Sequence, residues 1–250
     1  MRSILIQSPL EFRLEVVGDA FSQGSALPCT LTIKNHSPLA VTVAAPALRL
    51  VLGNLKKAKA KDSGAFQPLA TTELERGIEV APGSEISLTH TFPLDTNFPI
   101  SDKSQSPFLL FGNEADALAL GQALLTVSPH PFVRSVFDSL TTVFSFVNKG
   151  ETWKAGETTA KLKAPDSRRF SMVDELNLSC KFDGDALLLG YSFTVKKFDN
   201  VLVTVAVKKG KAEVLQRWER ADFTFGDGFV RQEFVEKMVD EALSAVSSGF

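Results

Sequence analysis

The sequence predicts a mainly β protein made of two antiparallel β-sandwiches in tandem, with a connecting helix and a C-terminal amphipathic helix. Three observations predict it. Apolar and polar residues alternate with period two over much of the chain, the pattern of strands with one buried and one wet face. Dipeptides suited to tight turns separate those runs. At 250 residues the chain is long for one sandwich and comfortable for two of about 100–125 residues each.

In order along the chain, Leu27, Cys29, Leu31 and Ile33 share one phase, with Pro28, Thr30, Thr32 and Lys34 on the other. Asn54–Thr72 reads as a long, mobile loop with several lysines. Pro82-Gly83 introduces a strand over Glu85–Leu94, where Ile86, Leu88, His90 and Phe92 alternate with Ser87, Thr89 and Thr91. Pro131–Val143 keeps helical spacing through Val133, Val136, Phe137 and Leu140, near mid-chain, as a connecting helix at a domain boundary would.

Further on, Leu176, Leu178, Cys180 and Phe182 form the apolar phase of a strand. Asp183-Gly184 turns that strand into Leu187–Val195. Lys209-Gly210 reads as a second turn, between Val201–Val207 and Ala212–Trp218. Gly228–Ser248 is an amphipathic helix whose stripe includes Val230, Phe234, Val235, Met238, Val239, Leu243 and Val246. The expected division is therefore 1–127 for a first sandwich, 128–226 for a second entered through the helix at 131–143, and 227–250 for the C-terminal helix.

Composition narrows the function classes. Hydrophobic residues make up 44% and charged residues 22%, which suits a packed globular chain. A net charge of −2 provides no general attraction to nucleic acid. The aromatic set of 20 Phe, 2 Trp and 1 Tyr favours burial, because Phe has no polar handle. Two distant cysteines, Cys29 and Cys180, do not make an extracellular disulfide framework. The N-terminal apolar run is too short for a signal peptide, and no stretch has the ~20 apolar residues of a membrane span. Together these predict a cytoplasmic, soluble protein.

Catalytic motifs are missing. The sequence has no Gly-x-Ser-x-Gly elbow, phosphate-binding Gly-x-x-x-x-Gly-Lys-Ser/Thr loop or His-Glu-x-x-His helix, and His36, His90 and His130 are scattered. Cys29, Cys180 and His90 lie on apolar phases, as core residues do. Asp183-Gly184-Asp185 offers too few oxygens for calcium and reads as a plain turn. Accordingly no residue is assigned to catalysis, to a cofactor or to a metal.

Two features remain for recognition. Lys56, Lys57, Lys59 and Lys61 form the one concentrated basic patch. It suits an acidic peptide, a phosphate or a lipid headgroup, and equally suits an edge protected from aggregation by lysine. The C-terminal helix must bury its stripe on its own domain, on another copy or on a partner. Val230, Phe234, Met238 and Leu243 are the candidate docking residues, and a weakly docked helix would be a displaceable tail.

Several segments carry a family resemblance. Phe21-Ser22-Gln23-Gly24-Ser25-Ala26-Leu27 running into Thr30–Asn35, and Val80-Ala81-Pro82-Gly83 followed by His90–Leu94 and Phe98–Ser101, are similar to arrestin-like N-domains. Val127–Phe132 with the helix after it, Arg169-Phe170, Val173–Leu178 and Gly184–Leu189 resemble the bacterial arrestin-like sporulation-control proteins. Gly112–Gly121 departs from that pattern, being short and rich in Ala and Leu where the family has a longer aspartate-rich stretch. The resemblance implies immunoglobulin-like sandwiches and a non-enzymatic adaptor or regulator that binds protein partners. A membrane-surface module using the lysine patch and the C-terminal helix is the alternative. A homodimer stays open, and nucleic acid is not expected as a partner.

Overall fold

The computed structural model describes the backbone of residues 1–72, 77–113, 116–201, 204–226 and 228–247. Side chains are described for these apart from 197–201, 204–208 and 247. The chain divides into two compact units, Met1–Ser128 and Pro129–Phe250.

In the first unit the period-two runs form two four-stranded sheets. One is ordered β1 (Arg2–Gln7), β2 (Leu10–Val16), β4 (Ala26–Asn35), β9 (Glu85–Pro93), and every neighbouring pair in it is antiparallel. The other is ordered β11 (Gly121–Leu124), β10 (Gln105–Gly112), β6 (Ala47–Asn54), β7 (Phe66–Thr72). Phe12, Leu14, Leu27, Leu31 and Ile33 from the first sheet share one core with Leu48, Leu50, Leu109 and Phe111 from the second. This is the expected sandwich. Two short pairings complete it: β3 (Phe21–Ser22) runs parallel to β12 (Val127–Ser128), and β5 (Val41–Val43) pairs with β8 (Ile78–Val80).

β6 and β10 are buried on both faces, which explains their unbroken apolar runs. On the outer side Ala47, Val51, Phe108, Leu110 and Leu120 form a second, smaller cluster, with Leu55, Phe66 and Ala117 against it. The Ala/Leu-rich stretch after β10 thus supplies packing residues. At Gly53 a Cβ would fall 2.5 Å from the Phe108 ring, so only glycine lets that ring lie flat on the strand.

Asn54–Thr72 is ordered, contrary to its reading as a mobile loop. It holds a short helix, α1 (Leu55–Lys59), and then β7. The local cause is Asn54, whose Oδ1 accepts hydrogen bonds from the Lys56 and Lys57 amides at 3.1 Å each. Phe66 then seats β7 edge-to-face on Phe108, with ring centroids 5.5 Å apart.

The second unit is a five-stranded antiparallel meander: β13 (Val147–Lys154), β14 (Glu157–Lys163), β15 (Val173–Asp183), β16 (Ala186–Val201), β17 (Thr204–Trp218). The expected hairpin turn forms one residue later, with Asp183 paired to Ala186 and Gly184, at φ 60, and Asp185 as its two loop residues. Lys209-Gly210 makes none. β17 runs straight through it, pairing Lys209 with Lys196 and Gly210 with Val195, and the step from β16 to β17 falls between Val201 and Thr204. Alternation holds on both sides of Gly210, so the ladder continues across it. Cross-strand pairing overrode the local turn propensity there.

This unit also differs from the expected pair of stacked sheets. All five strands lie in one sheet, and helices supply its second layer. α2 (Pro131–Asp138) continues as a π-turn at Ser139–Val143 and buries Val133, Val136, Phe137 and Leu140. α4 (Gln232–Ser247) buries Val235, Val239, Ala242, Leu243 and Val246 against Leu176, Leu178, Tyr191 and Phe193. Period-two alternation shows that a strand has one buried face, but does not show whether a sheet or a helix covers it. A short helix, α3 (Arg220–Phe223), links β17 to α4.

Candidate functional site

α1 presents the basic patch. Its Asn54 cap fixes the first turn, and Leu55 anchors it in the outer cluster beside Val51 and Phe108. The chain then closes tightly, as Ala60 donates to the Lys56 carbonyl at 3.0 Å and Asp62 to the Lys57 carbonyl at 3.0 Å. Lys61 takes a left-handed conformation, φ 54, at this turn. Lys56, Lys57, Lys59 and Lys61 are all exposed, and none forms an ion pair with a described residue. The result is four unneutralised ammonium groups on a pinned platform of one turn and its exit, a geometry that meets acidic side chains without first ordering a loop.

Three of the candidate tail residues, Phe234, Met238 and Leu243, lie on α4, whereas the helix expected from Gly228 starts only at Gln232 and Val230 before it forms a β-bridge with Thr224. Leu243 is buried, while Val230, Phe234 and Met238 are part-buried against the same core. Phe234 lies edge-to-face on Trp218 with centroids 5.6 Å apart, and Gln216 Nε2 donates to the Met238 carbonyl at 2.9 Å. Arg169 pins the helix from the far side. Its guanidinium donates to Asp240 Oδ1 at 2.6 Å and lies 5.1 Å over the Phe170 ring. Arg169-Phe170, read in the sequence as a family signature, is therefore a clamp on α4.

The reactive residue types are engaged in structure. Cys29 and Cys180 are free, buried thiols. Burial pushes Cys29 up to about 11 and Cys180 higher still, so both stay protonated at neutral pH. His90 stacks edge-to-face on Phe92, 4.4 Å between centroids. His36 meets Glu11 at 2.9 Å. His130 caps α2, its Nδ1 accepting from the Phe132 amide at 3.2 Å. Burial, and then the charge of Arg220, push this imidazole down to about 4. Asp183 pairs with Arg217 at 2.7 Å and Asp185 with Arg220 at 3.5 Å, so the Asp-Gly-Asp turn is tied down by arginines. Among the described residues no three His, Cys, Asp or Glu side chains gather as a metal site, and no helix is long and apolar enough to cross a membrane.

One exposed feature went unread in the sequence. Ile4 and Ile6 of β1 are 56% and 63% exposed on the outside of the first sandwich. Ile4-Leu5-Ile6 is apolar in both phases, a pattern that a strand covered on both faces, such as β6 or β10, shows as well.

The first unit is thus a β-sandwich, and the second a β-sheet entered through a helix. Among solved structures the chain is similar to Spo0M, a sporulation control protein from Bacillus subtilis. The match has 15% identity, covers 95% of this chain and 99% of that one, and has a TM-score of 0.65. The arrestin-like resemblance read in the sequence is thus matched by the fold of the whole chain. Partial matches to a β-glucosidase from Listeria innocua (15% identity, 48% of this chain and 16% of that one, TM-score 0.32) and to the alkylpurine DNA glycosylase AlkC from Pseudomonas fluorescens (13%, 48% and 30%, TM-score 0.32) are too weak to bear on function. No protein-family model matches the sequence, and no curated protein matches it.

Proposed function

We propose that this chain is a non-enzymatic regulatory adaptor that works inside the cell by binding an acidic segment of a protein partner on the lysine face of α1. The carrying observation is the pinned, unneutralised set of Lys56, Lys57, Lys59 and Lys61. The likeness of fold to a sporulation control protein supports a regulatory role and makes sporulation the first process to examine. Two unpaired, buried thiols support a reducing compartment.

The test compares wild type with a variant in which all four lysines are changed to Glu. In-cell cross-linking and mass spectrometry identify partners, and circular dichroism checks the fold. The expected result is loss of the specifically cross-linked partner, whose binding to wild type weakens steeply between 50 and 300 mM salt, as about four charge contacts would. The same partner bound equally well by the variant would sink the proposal. So would co-sedimentation with phosphatidylserine vesicles that the variant loses while partner cross-links persist, which would assign the lysines to a lipid surface.

A further inference from the structure

β1 is the outer strand of its sheet; β11 and the stretch before it lie against it, with Gln7 bonded to Ala119 and Asn113, and no strand among the described residues is hydrogen-bonded to its outer edge. Met1 and Val16 exchange hydrogen bonds, amine to carbonyl at 2.8 Å and amide to carbonyl at 2.9 Å. The register then runs without a shift from Arg2↔Glu15 to Gln7↔Leu10. In an antiparallel ladder such reciprocal pairs recur at every second residue. Ser3, Leu5 and Gln7 therefore direct their backbone groups at β2, while Arg2, Ile4 and Ile6 direct theirs at the free edge. The same parity sets the side chains: Leu5 packs towards the core, and Ile4 and Ile6 stand outside. The residues whose amides await a partner are those that offer it exposed isoleucines.

Apart from the charge of Arg2, the usual protections within an edge strand are missing here. β1 has no proline, lysine or bulge. By contrast the edge strand β7 carries Pro68, and the exposed phase of the edge strand β9 is Glu85, Ser87, Thr89 and Thr91.

We propose that β1 pairs with β1 of a second copy, antiparallel, across a two-fold axis at Ile4. The argument for a second copy is self-complementarity. With Ile4 opposite Ile4, Arg2 meets Ile6 and Ile6 meets Arg2 of the other copy. All three are edge-facing residues, so each pairing exchanges two hydrogen bonds, for six in total. Shifting the register by two residues in either direction leaves only two such pairings. On the outer face the two Ile4 side chains then touch, and each Arg2 stem covers an Ile6. The two sheets become one of eight strands. A single added strand pair is a small interface, so the dimer exchanges with monomer at a Kd between about 1 µM and 1 mM. The proposal stands apart from the lysine face, and its variants leave those lysines untouched.

Sedimentation equilibrium of the full chain from about 5 to 500 µM tests it, with wild type, Ile4→Lys and Ile4→Pro. Wild type should shift from monomer to dimer with rising concentration. Ile4→Lys should weaken the dimer at least tenfold. Ile4→Pro should do the same while keeping wild-type circular dichroism, because the amide it removes has no backbone partner among the described residues. A cross-link fixes the register and does not depend on the proline variant folding. Ile4→Cys places two thiols on the axis, with Cα atoms about 5.5 Å apart, within disulfide reach. Mild oxidation should therefore give a covalent dimer for Ile4→Cys and none for Ile6→Cys, while Cys29 and Cys180 stay buried. A chain monomeric to 500 µM, a dimer indifferent to Ile4→Lys, or equal cross-linking at positions 4 and 6 would overturn the proposal.

Discussion

His130 shows how one side chain can tie a helix to pH. Its Nδ1 must be unprotonated to accept the Phe132 amide, and the ring lies 4.7 Å, centroid to centroid, from both Phe132 and Phe182. Folded, the imidazole titrates near 4; in the unfolded chain it returns to the ordinary value near 6.5. Between those values the unfolded state binds more protons, so the stabilisation is complete above about pH 6.5 and is lost as pH falls towards 4. His130→Asn keeps a capping oxygen and removes the titration. Urea unfolding at pH 7 and pH 5 should therefore show wild type losing more stability than the variant, by on the order of 1 kcal/mol given the ring's partial exposure. Equal losses would show that the cap does not carry the pH dependence.

At the scale of the element, α4 is the place to ask whether a C-terminal helix is a tail or a wall. Val235, Val239, Ala242, Leu243 and Val246 fill the helical layer over the meander, and Arg169, Gln216 and Gln232 add side-chain hydrogen bonds along its length. A displaceable tail would lack such anchors. Leu243→Ala should cost about 2–4 kcal/mol in thermal or urea unfolding, and Val230→Ala at the part-buried entrance under 1 kcal/mol. A negligible effect at Leu243 would return the helix to the status of a detachable arm. The amphipathic stripe was legible in the sequence, as were the β15–β16 hairpin and the buried phases of β4 and β15. Three features were not. Lys209-Gly210 has turn chemistry, but β16 offers a partner along the whole of β17, and pairing prevails over local propensity. Asn54–Thr72 looks like a loop because its helix is one turn long and its order rests on a cap and on Leu55, which sits against residues distant in sequence. The edge at Ile4 and Ile6 became readable only when the sheet order placed β1 outermost.

At the scale of the whole molecule, the apolar cores divide as the chain does. Every residue of the two clusters in the first unit lies between Leu5 and Val127, and every residue of the large cluster in the second lies between Phe132 and Val246. A cut between Ser128 and Pro129 leaves the β3–β12 pairing on one side and the His130 cap of α2 on the other. Each fragment keeps a complete core and, at about 120–130 residues, is large enough to fold alone. Fragments 1–128 and 129–250, expressed separately, should each unfold in one cooperative thermal transition and show dispersed amide resonances. A fragment that is insoluble, or melts without cooperativity, would mean that its core draws on the other unit. The separation also locates the two recognition surfaces. α1 and β1 both belong to residues 1–128, so that fragment should carry the partner binding that depends on the four lysines and the concentration-dependent dimer that depends on Ile4, while 129–250 sediments as a monomer at every concentration.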